Sequence, residues 1–274
     1  MKIFYFVFLF IIINNNAFSQ ALRQPIAARY IGLGAYSKNH VDVFSFTGNQ
    51  AALAQIKTTA IGVYGEKRFL LSSTNLYSAV AVLPTTQGNF GLEVDYFGYK
   101  NYNESQMGLA YARSLGSKLD IGIKFNYYGF RIPVYVSSSA VNFELGAIAH
   151  LSEKLHAGIH VYNPVGGKLS NTDNEKLSSI YKFGIGYEAS EKFLVSIEII
   201  KEEDQPVNVD VGFQYNFMKQ FFVRAGTSTE TTNSYVGAGI SWKNFRLDLT
   251  AGYHPQLGFT PGLLLIMNFN KKEE

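Results

Sequence analysis

The feature that most constrains this chain is a two-residue rhythm, repeated in segment after segment. In residues 207–217, Val207, Val209, Val211, Phe213, Tyr215 and Phe217 fall on one face, and Asn208, Asp210, Gly212, Gln214 and Asn216 on the other. A strand points successive side chains to opposite sides, so such a segment makes one apolar wall and one polar wall. The same pattern sets Leu119, Ile121, Ile123, Phe125 and Tyr127 against Asp120, Gly122, Lys124, Asn126 and Tyr128. It also sets Phe245, Leu247 and Leu249 against Arg246, Asp248 and Thr250. In a soluble barrel the apolar face would point inward. Here the polar face carries Lys124, Glu144, Asp210, Arg246 and Asp248, too many charges for a dry core. The pattern therefore predicts an inside-out barrel, with charges in a watery or plugged lumen and the apolar face against lipid.

The punctuation agrees. Short lysine-bearing turns (LGSKL, LSEKL, ASEKF, FMKQF, SWKNF) alternate with polar stretches expected as long loops: NYNESQ, IPVYVSSS, NPVGGKLSNTDNEKLSS, KEEDQPVN, TSTETTNS and HPQLGFTP. Outer-membrane barrels have short periplasmic turns and longer external loops. Alternation places strands near 58–66, 76–83, 90–97, 105–115, 119–130, 139–151, 155–163, 179–189, 193–201, 207–217, 221–228, 234–242, 245–254 and 261–269. The fold expected is all-β, a closed antiparallel transmembrane barrel of about 14 strands, because an open edge cannot face lipid. An even count puts both barrel ends in the periplasm.

Composition narrows the class further. Only 16% of the 274 residues are charged, 15% are aromatic, and there is no cysteine. That excludes disulfides, thiolate chemistry, cysteine-bound metal and a lipid anchor on an N-terminal cysteine. The net charge of +3 is scattered over turns, which gives no basic groove for nucleic acid. Residues 1–19 read as a cleavable signal: Lys2, an apolar run over 3–13, then Ala17-Phe18-Ser19. The run is too short to span a bilayer as a helix. The address expected is the outer membrane of a Gram-negative cell, with lipid as a partner. The domain reading is signal 1–19, an N-terminal segment 20–57, barrel 58–270 and a charged tail 271–274.

Residues 20–57 do not alternate. They hold Gly32-Leu33-Gly34-Ala35, then Asp42, Phe44 and Phe46, then Asn49-Gln50-Ala51-Ala52-Leu53-Ala54. This order resembles the FadL-like outer-membrane barrels, which open with a glycine-rich stretch, an acid, an aromatic and an Asn-Pro-Ala-x-Leu-Ala motif. Gln50 stands where that family has proline. The length, the turn style and the ending HPQLGFTPGLLLIMNF look more like the PorV/PorQ group, associated with type IX secretion. The resemblance implies a 14-stranded barrel with an N-terminal hatch in the lumen, to which Gly32, Gly34, Asp42, Asn49 and Leu53 would belong.

No catalytic signature competes. There is no Gly-x-Ser-x-Gly elbow, no His-Glu-x-x-His and no carboxylate cluster at metal-ligand spacing, so neither an enzyme nor a cofactor is expected. His156 and His160 share a face but stand about 13 Å apart along a strand, too far for one metal. Candidate lumen-lining residues are Lys124, Glu144, Asp210, Arg246 and Asp248, together with the apolar Tyr128, Phe130 and Ile148. Leu264 and Ile266 join the apolar set by register. Two function classes follow. One is a non-enzymatic secretion or docking component that meets secretion-system or secreted proteins through its rim and loops, and the PorV/PorQ likeness favours it. The other is a channel for hydrophobic small molecules, which a continuous greasy path through the lumen would favour.

Overall fold

A computed structural model describes residues 30, 32–167, 169, 177–229 and 233–269. The signal reading on 1–19, most of the polar stretch 166–176 and the tail 271–274 lie outside the described residues. The barrel strands are β1 (Ala60–Lys67), β2 (Asn75–Thr85), β3 (Gly88–Tyr99), β4 (Tyr102–Leu115), β5 (Leu119–Ile132), β6 (Val136–His150) and β7 (Leu155–Tyr162). They continue as β8 (Ile180–Ser190), β9 (Phe193–Glu202), β10 (Asn208–Asn216), β11 (Phe221–Ser228), β12 (Ser234–Trp242), β13 (Phe245–His254) and β14 (Gly258–Asn268). Each pairs antiparallel with its chain neighbours. β1 pairs with β14 from Ala60↔Asn268 to Glu66↔Gly262, which closes the ring.

The outward face is the apolar one. Val211 and Phe213 are 39% and 40% exposed, whereas Asp210 and Gln214, which flank them, are 7% and 6%. Aromatic side chains ring both ends of this face. Tyr187, Tyr215, Phe217, Phe221, Trp242 and Phe245 lie toward the rim with the short turns, and Tyr77, Tyr96, Tyr181, Tyr253 and Phe259 toward the other. Two aromatic girdles bounding an apolar band match the layers of a bilayer. The chain thus has the build of an outer-membrane barrel, with β1 beginning and β14 ending at the short-turn rim and the external rim opposite it.

The loop rhythm is less strict than expected. NYNESQ, IPVYVSSS and HPQLGFTP are mostly strand: β3 and β4 are joined by residues 100–101, β5 and β6 by 133–135, and β13 and β14 by 255–257. His254, expected in a loop, closes β13. Polarity decides which solvent a strand stands in, not whether its backbone pairs, and a paired ladder satisfies its N–H and C=O groups in either place. β4, β5 and β6 run 14, 14 and 15 residues, more than the roughly 9–11 that cross the hydrocarbon. They therefore stand above the external rim as a tall wall. The long connections that remain are residues 163–179, 68–74, 203–207 and 229–233.

Candidate functional site: the occupied lumen

Inside the barrel sit residues 32–57, folded as three short turns. Leu33–Tyr36 is a 3-10 turn, Ser45–Gly48 a single α turn, and Gln50–Gln55 a second 3-10 turn. The Asp42 carboxylate accepts from Phe44 N at 2.9 Å just ahead of the α turn. The Asn49 side chain caps the second 3-10 turn, accepting from Ala51 N at 3.0 Å and so satisfying an otherwise orphaned N–H group. The wall makes room with inward glycines. A Cβ on Gly122 would run into the backbone of Gln50 and Ala51, and one on Gly186 into the carbonyl of Tyr36. Glycine alone allows that approach.

Directed polar contacts tie the segment to one side of the wall. Asp42 bonds Arg246 Nη1 at 2.7 Å and Arg224 Nη2 at 3.1 Å, and Arg246 also makes a two-pronged pair with Asp248, at 2.8 and 2.5 Å. The Tyr30 hydroxyl donates to Asp248 at 3.1 Å, and its carbonyl accepts from Arg224. Burial raises the Asp42 carboxyl, but Arg246 and then Arg224 outweigh it and hold the group below its usual range. Burial pushes both the Tyr30 and Tyr36 phenols up, so both stay neutral donors.

A second set of anchors lies on β5–β9. Glu188 accepts from Ser37 Oγ at 2.7 Å and from the backbone of Lys38 and Asn39, and Tyr36 donates to Glu198 at 2.7 Å. Gln55 donates to Asp120 at 2.6 Å. Asp120 continues into a buried row, with His150 at 2.8 Å, then His156 at 2.9 Å, then Glu188 at 3.3 Å from His156. Gln50 donates to Glu144, which Lys124 and His160 also hold at 2.9 Å each. The residue that departs from the family's proline thus has a partner of its own.

The remaining side is apolar. Tyr64, Leu76, Val80, Val82, Leu264 and Ile266, on β1, β2 and β14, join Val43, Phe44, Phe46, Leu53 and Ile56 of the segment in one buried cluster. That cluster also reaches Phe97, Tyr128, Ala140, Leu169 and Leu177 toward the external rim. Between segment and wall lies a cavity of about 140 Å³. Gly32, Tyr36, Thr47 and Gly48 form its floor. Its walls mix Glu93, Asp95, Lys124 and Lys182 with Leu76, Ile180 and Ile200.

The sequence-predicted residues sort as follows. Lys124, Glu144, Asp210 and Asp248 are buried on the inner face, Arg246 is largely so, and Tyr128 and Ile148 are buried there too, with Phe130 packed against their neighbours. Lys124, Glu144 and Asp210 come together at the cavity, whereas Arg246 and Asp248 meet Asp42 elsewhere. Gly32 floors the cavity. Asn49 and Leu53 are buried against the wall, Gly34 is buried against His40 and Ser45 of the segment itself, and Asp42 holds the arginines. Sequence reasoning missed the junction of His150 with His156. They face each other across the β6–β7 ladder, a pairing that the turn length would have given. Among the described residues no group of three or more His, Asp or Glu side chains is placed to hold a metal.

No family model matches the chain, and no curated protein does. Solved structures do. The monoaromatic hydrocarbon channel CymD superposes with a TM-score of 0.64 at 14% identity, over 91% of this chain and 98% of its own. The Pseudomonas putida toluene transporter TodX gives 0.61 at 9% identity, over 83% and 93%. The Ralstonia pickettii toluene transporter TbuX gives 0.59 at 11% identity, over 83% and 93%. The fold is that of the FadL-like outer-membrane barrels, a closed ring of 14 antiparallel strands. The secretion and docking reading is thereby corrected, since these neighbours are hydrocarbon channels and transporters. Turn style and chain ending reflect barrel layout, which secretion components and channels share, so they could not separate the two classes.

Proposed function

We propose that this barrel is a channel for small hydrophobic molecules, with residues 32–57 as the hatch that closes its lumen. The observation that carries this reading is the apolar column on β1, β2 and β14. It continues through the segment's aromatics from the Leu177 level to Ile56. Apolar side chains on the inner face of a barrel are out of place against water and suit an apolar guest. The cavity beside the column matches in size the roughly 150 Å³ hole that takes one benzene ring. The hydrocarbon channels that share the fold support the same class of guest. The role is non-enzymatic, with export through the signal at 1–19. The PorV/PorQ likeness is kept as a likeness of layout within the superfamily, without the secretion role.

The test is uptake of labelled toluene by cells whose lipopolysaccharide outer membrane is the barrier, with and without the protein. Leu76 is buried at the meeting of column and cavity. Leu76→Arg should reduce uptake to the level of cells lacking the protein. Uptake that ignores both the protein and the substitution would sink the reading.

A further inference from the structure

One end of the cavity is closed by a side chain that spans three strands. Tyr235 on β12 stands across the ladder from Gly226 on β11 and Gly252 on β13, and Gly226 stands across from Gly212 on β10. Residues paired in this way share a face, here the inner one. A Cβ on Gly212 would overlap the Tyr235 hydroxyl, and one on Gly226 would overlap the hydroxyl end of its ring. The buried side chain therefore lies along the wall from β12 over β11 to β10, in a slot that exists because both positions lack a side chain.

The slot continues the cavity. Tyr235, Gly212 and Leu33 all line it. Tyr30, which does not, meets the Tyr235 ring edge-on, with centroids 6.1 Å apart and planes at 83°. Tyr30 is itself fixed, its hydroxyl on Asp248 and its carbonyl on Arg224. Tyr235 is thus a stopper between an open volume and an anchored ring. The floor of the slot is backbone paired on both sides in the closed ladder, so it keeps its width when the side chain is removed.

The geometry points to Tyr235 as the residue that sets the size of the guest, holding it to a single ring. With Tyr235 in place the cavity of about 140 Å³ suits one ring, since a hole of roughly 150 Å³ takes one benzene. Truncation at this position joins the cavity to the emptied slot. A fused two-ring hydrocarbon would then lay its second ring over Gly212 and Gly226, with Tyr30 in the edge-on contact that Tyr235 now makes. This rests on the channel reading and narrows its guest from small apolar molecules in general to one-ring compounds.

The test is titration of labelled toluene and labelled naphthalene onto the full chain in phosphatidylcholine nanodiscs, with the uptake of empty nanodiscs subtracted. The wild type should bind toluene at least about tenfold more tightly than naphthalene, and Tyr235→Ala should raise naphthalene affinity at least about tenfold, the low end of what pocket size is worth. Tyr235→Phe should keep the wild-type ranking, because the ring fills the slot. In Gly212→Ala the added methyl meets the side chains of Tyr235 and Leu33. It should push the ring into the cavity and weaken toluene about tenfold. A wild type that binds naphthalene as tightly as toluene, or that binds neither, overturns the inference, as does unchanged naphthalene affinity in Tyr235→Ala. Were Tyr235→Ala not to fold, Gly212→Ala decides, and unchanged toluene affinity there overturns it. Toluene uptake by cells and its loss in Leu76→Arg judge the channel reading separately, so either can fail without the other.

Discussion

The two sides of the lumen hold the same segment by opposite physics. On β5–β8 and β10–β13 the contacts are directed, from Asp42 to two arginines, from Glu188 to Ser37 and to the Lys38 and Asn39 amides, and from Gln50 to Glu144. On β1, β2 and β14 the contacts of the described residues are apolar, with Val43, Phe44 and Phe46 in one buried cluster with Val80, Val82 and Leu264. Hydrogen bonds and ion pairs fail when geometry shifts by an ångström or so, whereas apolar burial has no preferred direction. The charged side therefore fixes where the segment sits. The apolar side tolerates sliding, and in the proposed channel a guest that displaces the segment would pass there at least cost.

Asp42→Ala should break that contrast most sharply. It strands Arg224 and Arg246 with one carboxylate fewer, and removing one partner from a buried ion cluster costs about 3–5 kcal/mol. Protease cleavage within residues 32–57 of the folded barrel should rise accordingly. On the other side, Leu264→Ala should cost about 2–3 kcal/mol, the low end for a buried leucine, because a lumen lets water or a guest refill the space. If the two variants released the segment equally, the division into a fixing side and a sliding side would be wrong. Gln50→Pro, which restores the family's residue, sharpens the comparison within the charged side. Proline suits the first position of the turn that Asn49 caps, so the backbone should accept it, and the loss is the bond to Glu144, about 1–2 kcal/mol. The readout is the same cleavage rate.

Much of this was legible in the residues, and what was not has a physical reason. The wall was legible because lipid imposes the alternation directly: Val211 and Phe213 must face out, so Asp210 and Gln214 must face in. Strand ends were harder, since polar tracts such as NYNESQ lose the lipid-driven signal yet keep the ladder beyond the membrane. Gly122 and Gly186 fall on the polar face by register, but their role as room for Gln50 and Tyr36 needs two parts of the chain to meet. The apolar side was half visible, with Leu264 and Ile266 assigned inward, while Val80 and Val82 passed as ordinary strand residues. Function was the least legible, because turn length and chain ending report the layout of the wall and not what the lumen admits.

The smallest expected effect is the one that tests the seam between the two sides. His40 is buried in the segment, and neither ring nitrogen has a partner. Burial lowers its pKa, Glu188 opposes this, and Arg224 adds to the lowering. Above the ordinary histidine value of 6.5 the ring is neutral whether the segment is seated or released, and the seated state keeps its full stability. As pH falls below that value the released histidine takes up a proton first, so stability drains away until the lowered value is passed, at no more than about 1.4 kcal/mol per pH unit. Asp42 adds nothing in this window, because its carboxyl is held below 3.8. The protection of residues 32–57 against hydrogen exchange, taken relative to the intrinsic amide rate at each pH, should therefore fall between pH 7 and pH 5 in the wild type. It should stay flat in His40→Leu, which packs a similar apolar volume without a titrating group. A wild-type profile as flat as that of the variant would mean that His40 finds solvent in the seated state, and that the segment is looser on this side than its anchors imply.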